Sequence, residues 1–257
     1  MSGLLVALRQ LRYENRAFRR NPAAAFFTVI FPLMFLVIFN LLFGEMVIDV
    51  PGGVTNGSTF YVPAIAALSI VSACYTNIAI SVSITRDLGV LKRFRGTPLP
   101  AWAYFAGVIT HVALLSVVLV GVVVCFGVLF YDVEVPGRTL PAFALTVLVG
   151  AVAFSALGLA LTGLIRDADA APAIVNASVL PLLFISDVFI TPGFAPDWLN
   201  TVADVFPVKH LSTALFAAFN PFEKGAGFRF EDLAIVAVWG VGGVLVALRT
   251  FRWESAR

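Results

Sequence analysis

The sequence predicts an all-α integral membrane protein: six transmembrane helices with an N-terminal amphipathic interfacial helix. Three observations lead there. Of 257 residues, 60% are hydrophobic and only 12% are charged, against about 25% charged in an ordinary soluble domain. So few charges cannot cover a water-facing surface over this length. The apolar residues fall in long blocks parted by short polar stretches, the pattern of several spans rather than one large core. A run of arginines at helical spacing precedes the first block.

Residues 2–21 carry Arg9, Arg12, Arg16, Arg19 and Arg20, with Leu4, Leu8, Leu11 and Phe18 interleaved. This predicts an amphipathic helix on the membrane surface, which would also serve as a basic anchor for the first span. Asn21-Pro22 ends it, because the residue before proline is pushed out of helical geometry. The first span is expected over residues 23–43; it is too long for a signal-peptide core, and no small-residue cleavage site follows. Residues 44–58 are expected to form a loop holding Glu45 and Asp49 but no Lys or Arg.

The second span is placed at 59–85 and followed by a charged stretch, 86–95. The third is placed at 101–130, and a short loop, 131–138, carries Asp132 and Glu134. The fourth covers 140–165, a polar turn 166–169, and the fifth 170–189. Residues 191–229 are Pro/Gly-rich and too polar for a simple span. The sixth, 233–248, is shorter than the ~20 residues a span needs, but a snorkelling Arg249 and interfacial Phe251 and Trp253 extend it. The chain thus reads as one membrane domain, 1–257: an interfacial helix to residue 22, a six-span bundle over 23–250 and a tail over 251–257.

Six spans place both termini on one side, with thirteen of the 17 basic residues. The other side keeps Arg138, Lys209, Lys224 and Arg229. Positive charge stays inside, so both termini are expected in the cytoplasm.

Cys74 and Cys125 sit inside apolar runs and make neither a disulfide framework nor a metal site. No G-x-x-x-x-G-K-[ST] motif, HExxH or Ser/His/Asp signature occurs, so no catalytic residue, metal or nucleotide site is expected in this chain. His111 and His210 read as packed against helix neighbours rather than catalytic, and nothing suggests a nucleic-acid partner.

The strongest local signal is Arg86, Asp87, Leu88, Gly89, Val90, Leu91, Lys92, Arg93, Phe94, Arg95, ended by Thr97-Pro98-Leu99-Pro100. On a helix, Leu88, Leu91 and Phe94 share one stripe and the bases lie mostly off it. Such a helix suits docking in the groove of a cytosolic partner; a basic loop that merely obeys the topology rule is the other reading. Ser69, Ser72, Thr76 and Ser83, with Asn77 adjacent, recur at helical spacing on the second span. Asn176 and Asp187 lie three turns apart on the fifth, with Asp187 near the outer interface. These polar groups either line a substrate path or hydrogen-bond between helices. Ala151, Ser155, Gly158 and Thr162, and likewise Gly243 and Ala247, allow close helix approach within the chain or across a dimer.

The stretch from Arg86 to Pro100 resembles the cytoplasmic-loop signature of type-2 ABC exporter permeases: an Arg-acid pair, a glycine, Leu-Lys-Arg and a Thr-Pro-Leu-Pro ending. Asp87 stands where that family more often has Glu. Pro181 to Ser186 followed by Pro192, Phe206 to Leu211 with Ala214-Leu215, and the tail Phe251 to Glu254 are similar to further motifs, the last in the daunorubicin-resistance-like branch. Asp187 departs from the glycine usual after Ser186. The resemblance implies that 86–95 is a coupling helix for a separate ABC ATPase, two copies per assembly, which binds ATP and Mg. It implies a second permease, identical or related, contact with membrane lipids, and export of an amphipathic, drug-like or lipid-linked substrate. Two other functions compete. An ATP-independent channel or secondary transporter would use charges at membrane depth, which the first four spans lack. A non-transporting membrane anchor would need no path at all.

Overall fold

A computed structural model of the chain describes residue 16 and residues 22–95, 101–189 and 196–251. In chain order the elements are α1 (Pro22–Phe43), β1 (Val47–Val50), β2 (Gly53–Asn56), α2 (Gly57–Asp87), α3 (Val90–Arg95), α4 (Ala101–Tyr131), α5 (Leu140–Leu161), α6 (Ala171–Ile185), α7 (Asp197–Ala203), α8 (Pro207–Phe219) and α9 (Phe230–Thr250). Arg16 is helical and exposed; Arg9, Arg12, Arg19 and Arg20 lie outside the described residues, as does the tail beyond Phe251.

Among the described residues four helical segments are long and apolar enough to cross a membrane: Gly57–Asp87, Phe105–Tyr131, Leu140–Leu161 and Phe230–Thr250. Thr28–Phe43 and Ala171–Ile185 are shorter apolar helices. The chain is therefore a mostly helical, multi-pass membrane protein. The sixth expected span is longer than its sequence pattern, because Glu231 and Asp232 sit in the first turn of α9, where acids complement the positive end of the helix dipole. The fifth is shorter, since α6 stops at Ile185.

The stretch 44–58, expected as a loop, is a β-hairpin: Val47 pairs with Asn56 and Val50 with Gly53. Pro51 and Gly52 make the connection. Gly52 has φ +100°, which the second central position of a Pro-Gly turn requires.

α2 is the spine. From Gly57 to Ile70 nearly every side chain is buried, and α1, α4, α5 and α8 pack around it. A helix apolar all round is buried all round. At Val71–Thr76 it loosens into a π-helical turn, which adds a residue and rotates everything downstream. The outer helices keep a lipid-type face: Leu114, Val118 and Leu129 on α4, and Val238, Val241 and Leu248 on α9, are all exposed.

The small-residue stripes act within the chain. A methyl on Gly158 would stand 2.7 Å from the Tyr75 carbonyl oxygen, and one on Gly243 would stand 2.9 Å from the backbone of Ala156 and Leu157. Thus α5 seats on the π-helical turn of α2, and α9 lies along α5. On α1, Phe31, Phe35, Phe39 and Phe43 form a ladder at four-residue spacing. Tyr61 stacks on it with centroids 5.0 Å from Phe39, and Phe189 sits 5.4 Å from Phe35. These contacts hold the chain just after α6 against α1.

Candidate coupling and translocation sites

The loops sort to two ends of the bundle. At one end lie the hairpin, the 132–139 loop, the 186–189 turn and the 220–229 loop. Thr139 Oγ1 donates to the Ala218 carbonyl at 2.6 Å, and Asn220 Nδ2 donates to the Pro51 carbonyl at 3.0 Å. At the other end lie the 86–95 segment, the 162–168 turn and the end of α9. There Arg86 reaches Thr162, and the rings of Phe105 and Phe251 meet edge to face at 4.8 Å. The described acids Glu45, Asp49, Asp132 and Glu134 belong to the hairpin end.

The 86–95 segment is not one continuous helix. α2 runs through Arg86 and Asp87, Leu88 caps it, and Gly89 takes φ +69° before α3 begins at Val90. Glycine is the residue that ends a helix in this left-handed conformation without steric cost. The break separates the expected apolar stripe. Leu91 is fully buried in the main core, whereas Leu88 is 68% exposed. The two therefore cannot belong to one docking surface, and the side chains that stand exposed here are Leu88 and Lys92, one on each side of Gly89. The side chains of Arg93 and Phe94 lie outside the described residues.

Arg86 and Asp87 also turn inward. Arg86 is 4% exposed, and its guanidinium donates to the carbonyls of Thr162 and Ile165. Asp87 Oδ2 accepts the Ala168 N–H at 2.7 Å. Residues read as part of a surface signature are thus fastened to the turn between α5 and α6. No sequence signal links positions about 80 residues apart. Leu164, exposed on that turn, was equally invisible to pattern.

The proposed path residues separate. Ser69 and Ser83 are buried and donate to the carbonyls of Ile65 and Ala79, one turn back on α2. They bond within their own helix, so in this structure they neither line a path nor make the expected bonds between helices. Ser72, Thr76 and Asn77 are half-buried, at or just after the π-helical turn. Beside them the Tyr75 hydroxyl lies 2.7 Å from Ser178 Oγ on α6. Asn176, two residues earlier, is exposed on the outward face of α6. Asp187 does not share that face. α6 ends two residues before it, and Asp187 adopts φ 57°, a left-handed conformation that Asp tolerates better than most residues and glycine best.

At the hairpin end Asp187 lines a pocket of about 210 Å³ with Asp49, Thr59, Phe60, Phe216 and Arg229. Burial raises the Asp187 carboxyl above the ordinary carboxylate range; Lys209 opposes this and Asp204 adds to it. Lys209 pairs with Asp204 at 2.8 Å. His210 meets Asp232 Oδ1 at 2.7 Å through Nδ1 and the Asp204 carbonyl at 2.8 Å through Nε2, tying α8 to α9. Among the described residues no group of His, Cys, Asp and Glu could hold a metal ion.

The sequence profile of the "ABC-2 type transporter" family matches residues 8–220. The chain is similar to the "Daunorubicin resistance ABC transporter permease protein DrrB1" of Streptomyces coeruleorubidus, 28% identical over 93% of this chain and 83% of that protein. It is also similar to the "Putative transport permease ycf38" of Porphyra purpurea, 24% identical over 86% of this chain and 75% of that one. A third relative is the "Putative transport permease YvfS" of Bacillus subtilis, 23% identical over 78% and 80% respectively.

Proposed function

Because the chain belongs to the ABC-2 type transporter family and is the transmembrane subunit of an ABC transporter, not itself catalytic, we propose that it is an exporter permease driven through its 88–95 segment. The family works with an ABC ATPase subunit; two copies of that ATPase would bind ATP and Mg and push on α3. Two permease chains, identical or related, would enclose the path, with all six apolar helices spanning the bacterial plasma membrane and both termini cytoplasmic. α8, buried and only 13 residues long, would then be re-entrant from the outer side.

The observation that carries this reading is the exposure of Leu88, at the cap of the spine helix, and of Lys92 on α3, both within the family match. Asn176 supports a path beside α6, since an exposed amide at membrane depth faces water or protein rather than lipid. The relative whose name specifies daunorubicin resistance makes an amphipathic, drug-like substrate the first to try. The test is transport of daunorubicin into inverted vesicles holding the permease and its ATPase. Leu88→Asp is expected to abolish both ATPase recruitment and ATP-dependent uptake. Uptake that continues without any ATPase would favour a channel or secondary transporter, and wild-type coupling in Leu88→Asp would refute the docking role.

A further inference from the structure

We infer that Arg86 and Asp87 form a rigid joint that makes the end of α2 and the turn 162–168 move as one body, so that a push on α3 reaches α5 and α6 directly. The inference rests on the coupling role proposed for residues 88–95, and assigns to this pair a positioning role rather than a docking one.

The backbone accounting shows why the joint is tight. At the end of α5 the carbonyls of Leu159, Ala160 and Leu161 accept the N–H groups of Thr162, Gly163 and Leu164. Two further carbonyls of the turn, Thr162 and Ile165, are taken by the two arms of the Arg86 guanidinium. A cation there also meets the negative end of the α5 dipole. Asp87, the adjacent residue, holds the far side of the same turn through the Ala168 N–H. One residue before Ala168, Asp167 Oδ1 accepts the Ala170 N–H at 2.8 Å and closes the entry to α6. Neighbouring residues of opposite charge thus grip both limbs of one turn, through backbone atoms that cannot rotate away. Sliding the joint would strand a buried guanidinium, which is far costlier than moving the assembly whole. The far wall is closed too: a methyl on Gly163 would overlap Thr250 at the end of α9. On the input side Leu91, fully buried, stops α3 from swinging freely about Gly89.

The experiment measures spin-label distances between Ile84→Cys and Leu164→Cys, both exposed positions flanking the joint, with Cys74 and Cys125 replaced by alanine. The permease is reconstituted with its ATPase subunit, nucleotide-free and trapped with ATP and vanadate. With Arg86 intact, the distance is expected to be the same in both states. In Arg86→Gln the end of α2 moves with the ATPase while the turn lags, so the distance shifts with nucleotide by roughly 2 Å, the scale of helix shifts in switching transitions. Arg86→Lys, which keeps the charge but loses the fork, falls between the two and guards against a glutamine variant that fails to fold. A merely structural role would lower the yield of complex without creating a nucleotide-dependent shift. A distance that changes with nucleotide in the parent, or stays fixed in both Arg86 variants, overturns the joint alone. Failure of the ATPase to co-purify overturns it together with the coupling reading.

Discussion

Replacing Gly158 with alanine adds one methyl group where α5 crosses the spine helix. That methyl would stand 2.7 Å from the Tyr75 carbonyl oxygen, and 3.1 Å from both the Cys74 carbonyl oxygen and Tyr75 Cα. All three are backbone atoms of the π-helical turn, so no side chain can swing aside and the helices must separate. Gly121, on the exposed face of α4, has nothing within 4 Å of the same methyl and serves as the control. Both substitutions gain the same helix propensity, about 1 kcal/mol, so their difference isolates the overpacking, about 1–3 kcal/mol. At about 2–4 °C per kcal/mol for a chain of this size, Gly158→Ala should melt about 2–12 °C below Gly121→Ala. The assay is thermal unfolding of the two detergent-purified variants followed by intrinsic tryptophan fluorescence. Midpoints within about a degree of each other would refute the close crossing of α5 on α2.

Two further outcomes follow from the hairpin end. The raised carboxyl of Asp187 means the folded state holds that proton more tightly than the unfolded chain, so stability is lost as pH rises through the window above the ordinary carboxylate range. Asp187→Asn keeps a residue tolerant of φ 57° and should therefore be more stable than wild type in mildly alkaline buffer. The gap should close on acidification, and a gap independent of pH in melting scans would contradict the assignment. His210→Ala removes the part-buried bond to Asp232 and the exposed bond to the Asp204 carbonyl and should cost about 1 kcal/mol. Hydrogen exchange at the start of α9 should accelerate to match, and unchanged exchange there would show that the α8–α9 tie carries no stability.

Composition alone disclosed the membrane class, because a chain with so few charges has no other solvent. Block lengths then located the apolar helices, with errors where local chemistry outweighed hydropathy. The hairpin was missed because two four-residue strands carry little pattern, although Pro51-Gly52 was a turn signal in plain view. α8 was hidden by Lys209 and His210, whose polar groups find partners in Asp204 and Asp232 that no periodicity can foretell. The glycine-to-aspartate departure at 187 was legible, and the left-handed φ there gives its physical meaning. The docking stripe failed for a local reason: Gly89 breaks the helix, so residues three apart in sequence do not share a face. Burial of Arg86 was beyond reach, because its acceptors are main-chain carbonyls with no residue identity. The interfacial arginines other than Arg16 fall outside the described residues.

The central claim is that the segment where the spine helix gives way to α3, exposed at Leu88 and Lys92, receives an ATPase on the cytoplasmic side. It is tested most directly by labelling Lys92→Cys, in a chain with Cys74 and Cys125 replaced, with a membrane-impermeant maleimide. In inverted vesicles the cysteine should react readily and become protected when the ATPase subunit is bound. Reaction from outside intact cells, or reaction in inverted vesicles that the ATPase leaves unchanged, would contradict the account.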